Sequence, residues 1–196
     1  MADPRRLRAA LAAIDAANAG DPRRIEVRGE SRPKELAQAQ LATGWVETLV
    51  TNPSEALLLA ARAHHLRRWE SPRAAYPAGR AGYHRWRKDL QGFHARCVGE
   101  ILEREGYAAA TIARVQDIVQ KKGLGSDPEV QAFEDALCLV FLETQLRELA
   151  ERLDAEKLLA VIRKTLKKMS PAAVGRAREL PLDPEHASLI ERATMG

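Results

Sequence analysis

Residues 62–96 read RAHHLRRWESPRAAYPAGRAGYHRWRKDLQGFHAR. In the second half Tyr83, Trp86, Leu90 and Phe93, continued by Cys97 and Ile101, recur at every third or fourth position, the spacing of one helical face. Gly106 marks the end of that helix. The first half closes a second helical pattern, which Ser54 caps and which runs from Glu55 to about Glu70, where Pro72 prevents it from continuing far. Between them, Ser71 to Gly82 holds two prolines and two glycines and reads as an irregular loop.

The same periodicity extends outward in both directions. Leu7, Leu11 and Ile14 lie on one face of a helix over residues 5–18 that stops at Asn18-Ala19-Gly20. Residues 21–32 are polar and punctuated by Gly and Pro, which predicts a connection. A helix starting near Pro33 runs through Leu36, Leu41, Trp45, Val46 and Leu49 to Thr51-Asn52-Pro53. Downstream, 108–122 forms a helix with Ile112, Val115, Ile118 and Val119 inside and Gly123 as its C-cap. Asp127-Pro128-Glu129 opens another helix that runs to about Leu153. Helices near 155–168, 171–179 and 184–194 complete the chain. No alternating strand pattern, repeat or glycine-rich phosphate loop is present. The expected fold is all-α, one domain over residues 1–196 with about eight to nine helices, the last within 183–196. The chain is long enough to bury roughly 70% of the surface its unfolded form exposes.

Charge is distributed unevenly. Residues 62–96 hold nine Arg or Lys against Glu70 and Asp89, and four of the five histidines, while the whole chain carries only +4. The remainder is therefore acidic by about three, and the basic character is local. Interleaving of these cations with Trp69, Tyr76, Tyr83, Trp86 and Phe93 implies an anionic partner, because folding alone gives no reason to crowd like charges. Cys97 and Cys138 have no CxxC or CxxH spacing and read as reduced core thiols, which with the absence of any targeting pattern implies the cytoplasm. The longest apolar run, Leu137 to Leu142, is far short of the ~20 residues of a membrane helix, so no membrane partner is expected.

Several side chains are placed where their chemistry must be satisfied. His65 falls on an apolar helical sector near Leu58, Ala61 and Trp69, either as a core histidine bonded to a carbonyl or as part of a site. Asp135 points into the sector of Leu139, Leu142 and Leu146 and must meet a cation, a histidine, a metal or a proton. Arg87, Lys88, Gln91 and His94 share a side of the long helix, and Arg73 and Arg80 sit on the loop that feeds it. Guanidinium groups fork onto phosphate bidentately, so Arg68, Arg73, Arg80, Arg87 and Lys88 with the Tyr83 hydroxyl form a candidate anion pocket, with Trp69 or Tyr83 stacking on a ring. The alternative is a solvated basic face paired with Glu35, Glu134, Asp135 or Glu143. Lys168-Met169-Ser170 matches a KMS-type synthetase loop in three letters only, without the nucleotide-binding strand and helix that such enzymes need.

The run AARAHHLRRWESPRAAYPAGRAGYHRWRKDLQGFHA, followed by RVQDIVQKKGLGSDPEVQAFEDALCLVFLE and KTLKKMS, resembles the domain of unknown function 4202 family, over about Ile14 to Leu189. More distantly, the layout is similar to the HD superfamily of helical metal-dependent phosphohydrolases. That resemblance implies one or two divalent metals, Mg, Mn, Co or Fe, held by His65, Asp135 and Glu35, with His94 or Glu134 in support. It implies His65, His94 and Asp135 as catalytic residues. Leu66 stands where the superfamily has an aspartate, and Glu35, Gln38 or Gln40 where it has a histidine. The expectation is a protein that binds a phosphorylated small molecule or nucleotide between its third, fourth and sixth helices, with metal-dependent phosphohydrolysis as its enzymatic form. The alternative is an RNA- or tRNA-associated basic module without catalysis.

Overall fold

A computed structural model describes residues 3–27 and 29–195. Ten α-helices, one β-hairpin and two short 3-10 turns make up the described chain: α1 (Pro4–Asn18), β1 (Arg24–Val27), β2 (Glu30–Pro33), α2 (Lys34–Leu49), α3 (Glu55–Ala63), α4 (Gly79–Arg104), α5 (Ala109–Val119), α6 (Pro128–Thr144), α7 (Leu146–Ala150), α8 (Ala155–Leu166), α9 (Pro171–Arg178) and α10 (Pro184–Thr194). The all-α expectation holds, with one helix more than the upper end of the expected number. Asp3, Ser54, Asp127, Asp154, Ser170 and Asp183 each accept from a first-turn N–H of the helix that follows, which fixes where six of the helices begin.

Helix α6 is the axis of the structure because it is apolar on nearly every side. Val130, Phe133, Ala136 and Val140 enter a core built with α1 to α5, where Ile14, Val46, Leu57, Leu59, Leu66, Val98, Leu102 and Ile118 are buried. Cys138, Leu139 and Leu142 enter a second core with Leu146, Leu158, Ile162, Leu166, Ile190 and the small residues Ala173 and Ala177. Trp45 and Leu49 of α2 pack against both. No helix among the described residues is long and apolar enough to cross a membrane.

Three boundaries differ from the sequence expectation, each for a local reason. The connection at 21–32 contains a hairpin in antiparallel register, Arg24 opposite Pro33 and Val27 opposite Glu30, turning at Gly29 with φ of 80°. Ile25 and Val27 alternate with Arg24 and Glu26, but over only four residues, and the partner strand Glu30–Pro33 has no apolar alternation, so the pattern is too short to read as a strand. The third helix stops at Ala63 instead of near Glu70: Arg67 is left-handed (φ 56°), and the buried Asn18 side chain accepts its N–H at 3.1 Å. The sixth helix breaks at Gln145 (φ −123°), and α7 restarts in a new direction that carries Leu146 into the second core.

The loop expected at 71–82 is partly helical, since α4 already begins at Gly79. Gly82 lies against the Pro77 carbonyl so closely that a Cβ would overlap it. Gly82→Ala is expected to destabilise the fold by about 1–2 kcal/mol through overpacking, read as a lower urea midpoint with an unchanged slope. An unchanged midpoint would show that the loop relaxes freely.

Candidate functional site

The helix break after Ala63 creates the site. His64 and His65 follow it directly, and Arg68 opens a 3-10 turn, so three polar side chains turn toward α4 and α6 instead of winding around a helix. His64 Nδ1 donates to the Ala61 carbonyl at 2.9 Å, and its ring packs on His65 with centroids 4.3 Å apart. His65 Nδ1 donates to Glu35 Oε2 at 3.1 Å, which leaves Nε2 to accept from Arg68 at 3.0 Å. Glu35 is 1% exposed; its other oxygen takes Arg23 at 2.6 Å, and Arg68 Nε lies 3.9 Å away. Arg68 also stands over the Trp86 ring at 5.1 Å, while Trp86 donates to the Ser71 carbonyl. One buried carboxylate thus organises two guanidiniums and an imidazole. From α4, His94 Nδ1 donates to the Leu66 carbonyl at 2.8 Å, and its Nε2 is buried with no hydrogen-bond partner among the described residues.

These groups open onto a cavity of about 390 Å³ between α2, α4, α6 and α8. Arg68, Arg87, Lys121 and Lys168 are the cations of its lining and Glu134 the only carboxylate; Tyr83, Gln38 and Thr165 add hydrogen-bonding groups, and Leu137, Val140, Phe141 and Val161 add apolar wall. A recess of about 60 Å³ continues from it past His64, His65, Arg68, Arg87 and Lys121 to Gln91, His94 and Phe133. Lys121 is left-handed (φ 58°) at the end of α5, which brings its ammonium onto Glu134; Lys168 lies 3.8 Å from the same carboxylate.

The electrostatics follow from crowding cations around buried imidazoles. Burial, then Arg68, holds the His94 imidazole down at about 4, against the pull of the Leu66 carbonyl. Burial and Arg68 act on His65 in the same direction, and burial and His65 on His64, so all three rings are neutral at pH 7. Burial also lowers the Arg68 guanidinium from its ordinary range, opposed by Glu35. Burial and Glu134 raise the Cys138 thiol to about 12, which makes it a core thiol and no nucleophile.

The expected site is only partly assembled. His65, His94, Arg68, Arg87 and Tyr83 meet, as the sequence reading proposed. Asp135 does not join them: it accepts from Gln131 and from the Ser170 N–H, both at 2.9 Å, and ties α6 to the start of α9. Glu134, one position and ~100° away around α6, faces the cavity in its place. Arg73 serves its own loop, donating to the carbonyls of Tyr76 and Pro77 at 2.9 Å. Arg80 is exposed and donates to His84 at 3.3 Å, Lys88 faces a separate groove with Tyr76 and Arg96, and Trp69 lines neither cavity, packing instead near Gly20. Trp86 takes the role of the aromatic beneath an arginine.

The side chains expected to hold a divalent metal do not fit one. Glu35 is occupied by Arg23 and His65, His65 Nε2 by Arg68, and Asp135 lies elsewhere. Among the described residues no three His, Cys, Asp or Glu side chains are arranged to hold a metal ion.

Sequence reasoning missed Lys121 and Lys168. The glycine-rich stop after α5, KKGLG, signalled a helix end but not where its lysine would reach. Residues 8–190 match the family described as domain of unknown function 4202. The chain belongs to this family. No curated protein and no solved structure matches it. The three stretches that resemble the family supply the cationic lining together: the basic run gives Arg68 and Arg87, RVQDIVQKKGLG gives Lys121, and KTLKKMS gives Lys168.

Proposed function

We propose that the cavity binds a phosphorylated small molecule or a nucleotide. The observation that carries this reading is the convergence of Arg68, Arg87, Lys121 and Lys168 on one concavity of about 390 Å³ that a single carboxylate opposes. That volume lies within the range of small-ligand pockets. Arg87 and Lys168 stand on the exposed rim and draw the phosphate in, Arg68, held by Glu35, and Lys121 meet it inside, and the wall of Leu137, Val140, Phe141 and Val161 with Tyr83 takes the apolar or ring-bearing part of the ligand. Titration calorimetry with inorganic phosphate and nucleoside phosphates tests it: Arg87→Ala is expected to weaken binding about ten- to a hundredfold, since a hydrogen bond to a charged group contributes about 1.5–3 kcal/mol. Equal affinity in the variant and the parent would end this reading.

An HD-like phosphohydrolase is the enzymatic form of the same proposal. Because the ligand set for a metal does not converge, the outcome expected on incubation with nucleotides and Mg²⁺, Mn²⁺ or Co²⁺ is binding without turnover. Residence in the cytoplasm belongs to this reading and is supported by two buried cysteines that form no disulfide. A second reading, RNA binding, is favoured by Arg80, Arg85 and Lys88, which are exposed on α4 and form no ion pair with a described carboxylate. It predicts affinity that falls steeply with salt and survives Arg68→Met.

A further inference from the structure

The inner recess asks for a ligand that brings its own hydrogen. His94 is 3% exposed; its Nδ1–H is spent on the Leu66 carbonyl, so Nε2 is an acceptor, and it is buried without a partner among the described residues. His64 Nδ1 donates to the Ala61 carbonyl, so its other ring nitrogen is also an acceptor. Around these acceptors the charged groups are the cations Arg68, Arg87 and Lys121. Arg68 and His65 come from the turn after α3, Arg87 and Gln91 from α4, and Lys121 from the end of α5; α6 presents Phe133 and Leu137, with Glu134 one cavity further out and Glu35 of α2 behind His65 and Arg68. At about 60 Å³ the recess has room for roughly four water-sized groups, the size of a tetrahedral oxyanion.

Resting on the proposed function, we infer that this recess selects a singly protonated phosphate group, whose oxygens accept from Arg68, Arg87 and Lys121 and whose hydroxyl donates to His94 Nε2. A fully deprotonated oxyanion would set an oxygen lone pair against the nitrogen lone pair and leave a buried acceptor unsatisfied. The complex therefore carries one proton relative to the dianion of a phosphate monoester, which has no hydroxyl of its own, whether that proton rests on the oxygen or on the ring. Sulfate has the same shape and charge but no proton to give, and is discriminated against. Burial and the same cations keep the free ring neutral, so the proton arrives with the ligand.

The test is calorimetry of methyl phosphate, a monoester whose dianion has no hydroxyl, and of sulfate on the full chain, in buffers of different ionisation enthalpy, from pH 5 to pH 8. The expected result is uptake of about one proton per methyl phosphate at pH 8 and none at pH 5, with affinity falling about tenfold per pH unit above about 6, the second pKa of a phosphate monoester. Sulfate is expected to bind at least about tenfold more weakly than methyl phosphate at pH 6. His94→Asn keeps a nitrogen donor for the Leu66 carbonyl and removes the acceptor; it is expected to abolish both the proton uptake and the preference over sulfate. Arg87→Ala is expected to weaken both anions and keep the uptake. Methyl phosphate binding without proton uptake, or equal affinity for the two anions, overturns the inference and leaves the proposed function standing. Absence of methyl phosphate binding at every pH overturns both. If His94→Asn does not fold, the proton stoichiometry of the parent decides alone.

Discussion

Exchanging Glu35 for glutamine is expected to destabilise the protein by about 3 kcal/mol, the usual cost of removing one partner from a buried charged group. Glu35 is 1% exposed and bonds to Arg23 and His65, with Arg68 alongside. Its own N–H donates to the buried Asp21 carboxylate at 3.0 Å, so the start of α2, the hairpin and the turn after α3 meet at this residue. The amide has the right size but no charge, and it leaves the Arg68 guanidinium against the Trp86 ring without an anion to oppose it. The measurement is the urea midpoint, with Glu70→Gln as control: Glu70 pairs with Arg67 at 2.7 Å on a much more exposed site, where loss of a pair costs about 0–1 kcal/mol. Equal midpoints for the two variants would show that Glu35 is not the keystone proposed. Arg68 should also lose its orientation, so that phosphate affinity falls in a variant whose substituted residue does not line the cavity.

Acid is expected to unfold the protein from the histidines first. In the unfolded chain an imidazole gains its proton near 6.5, whereas His94 in the fold resists until about 4. Between those values the unfolded state binds more protons, so stability falls as pH falls through that window and is fully present above 6.5. His94 alone accounts for about 3 kcal/mol of that loss by pH 4, and His64 and His65, held neutral for the same reasons, act in the same direction. Asp127 is held at about 2 by Arg114 and stays charged throughout the window, so its loss would appear only at lower pH. Urea midpoints taken from pH 7.5 to pH 4.5 check this. A flat profile would refute it, and a slope that is reduced but not abolished in His94→Asn is expected, with His64 and His65 supplying the rest.

Much of the fold was legible because helix boundaries depend on local chemistry. Asp127-Pro128, Ser54 and Asp183-Pro184 begin helices where a capping oxygen and a missing proline N–H satisfy the first turn, whatever the chain packs against later. The longest apolar run of the chain, Leu137 to Leu142, lies within α6, the helix that the two cores share. The candidate site was legible in type more than in place. His65, Arg68, Arg87 and His94 were named from the crowding of cations and imidazoles, and they do converge. The sequence reading placed Asp135 in the site and Glu134 only in support, whereas Glu134 faces the cavity, because either carboxylate of this mostly apolar helix faces protein and only the partner decides which one meets a cation and which a backbone N–H.

The sequence by itself determined the helical class, the caps, the buried girth of α6 and the local excess of positive charge, since each depends on residues within a few positions of one another. Tertiary structure alone decided that α3 ends at Ala63, because the oxygen that holds Arg67 left-handed comes from Asn18, and that Lys121 and Lys168 join arginines from two other segments. Those outcomes depend on burial, which makes a carboxylate seek its cation and a backbone N–H its acceptor across any sequence distance. No window of the chain records that demand until the helices have packed.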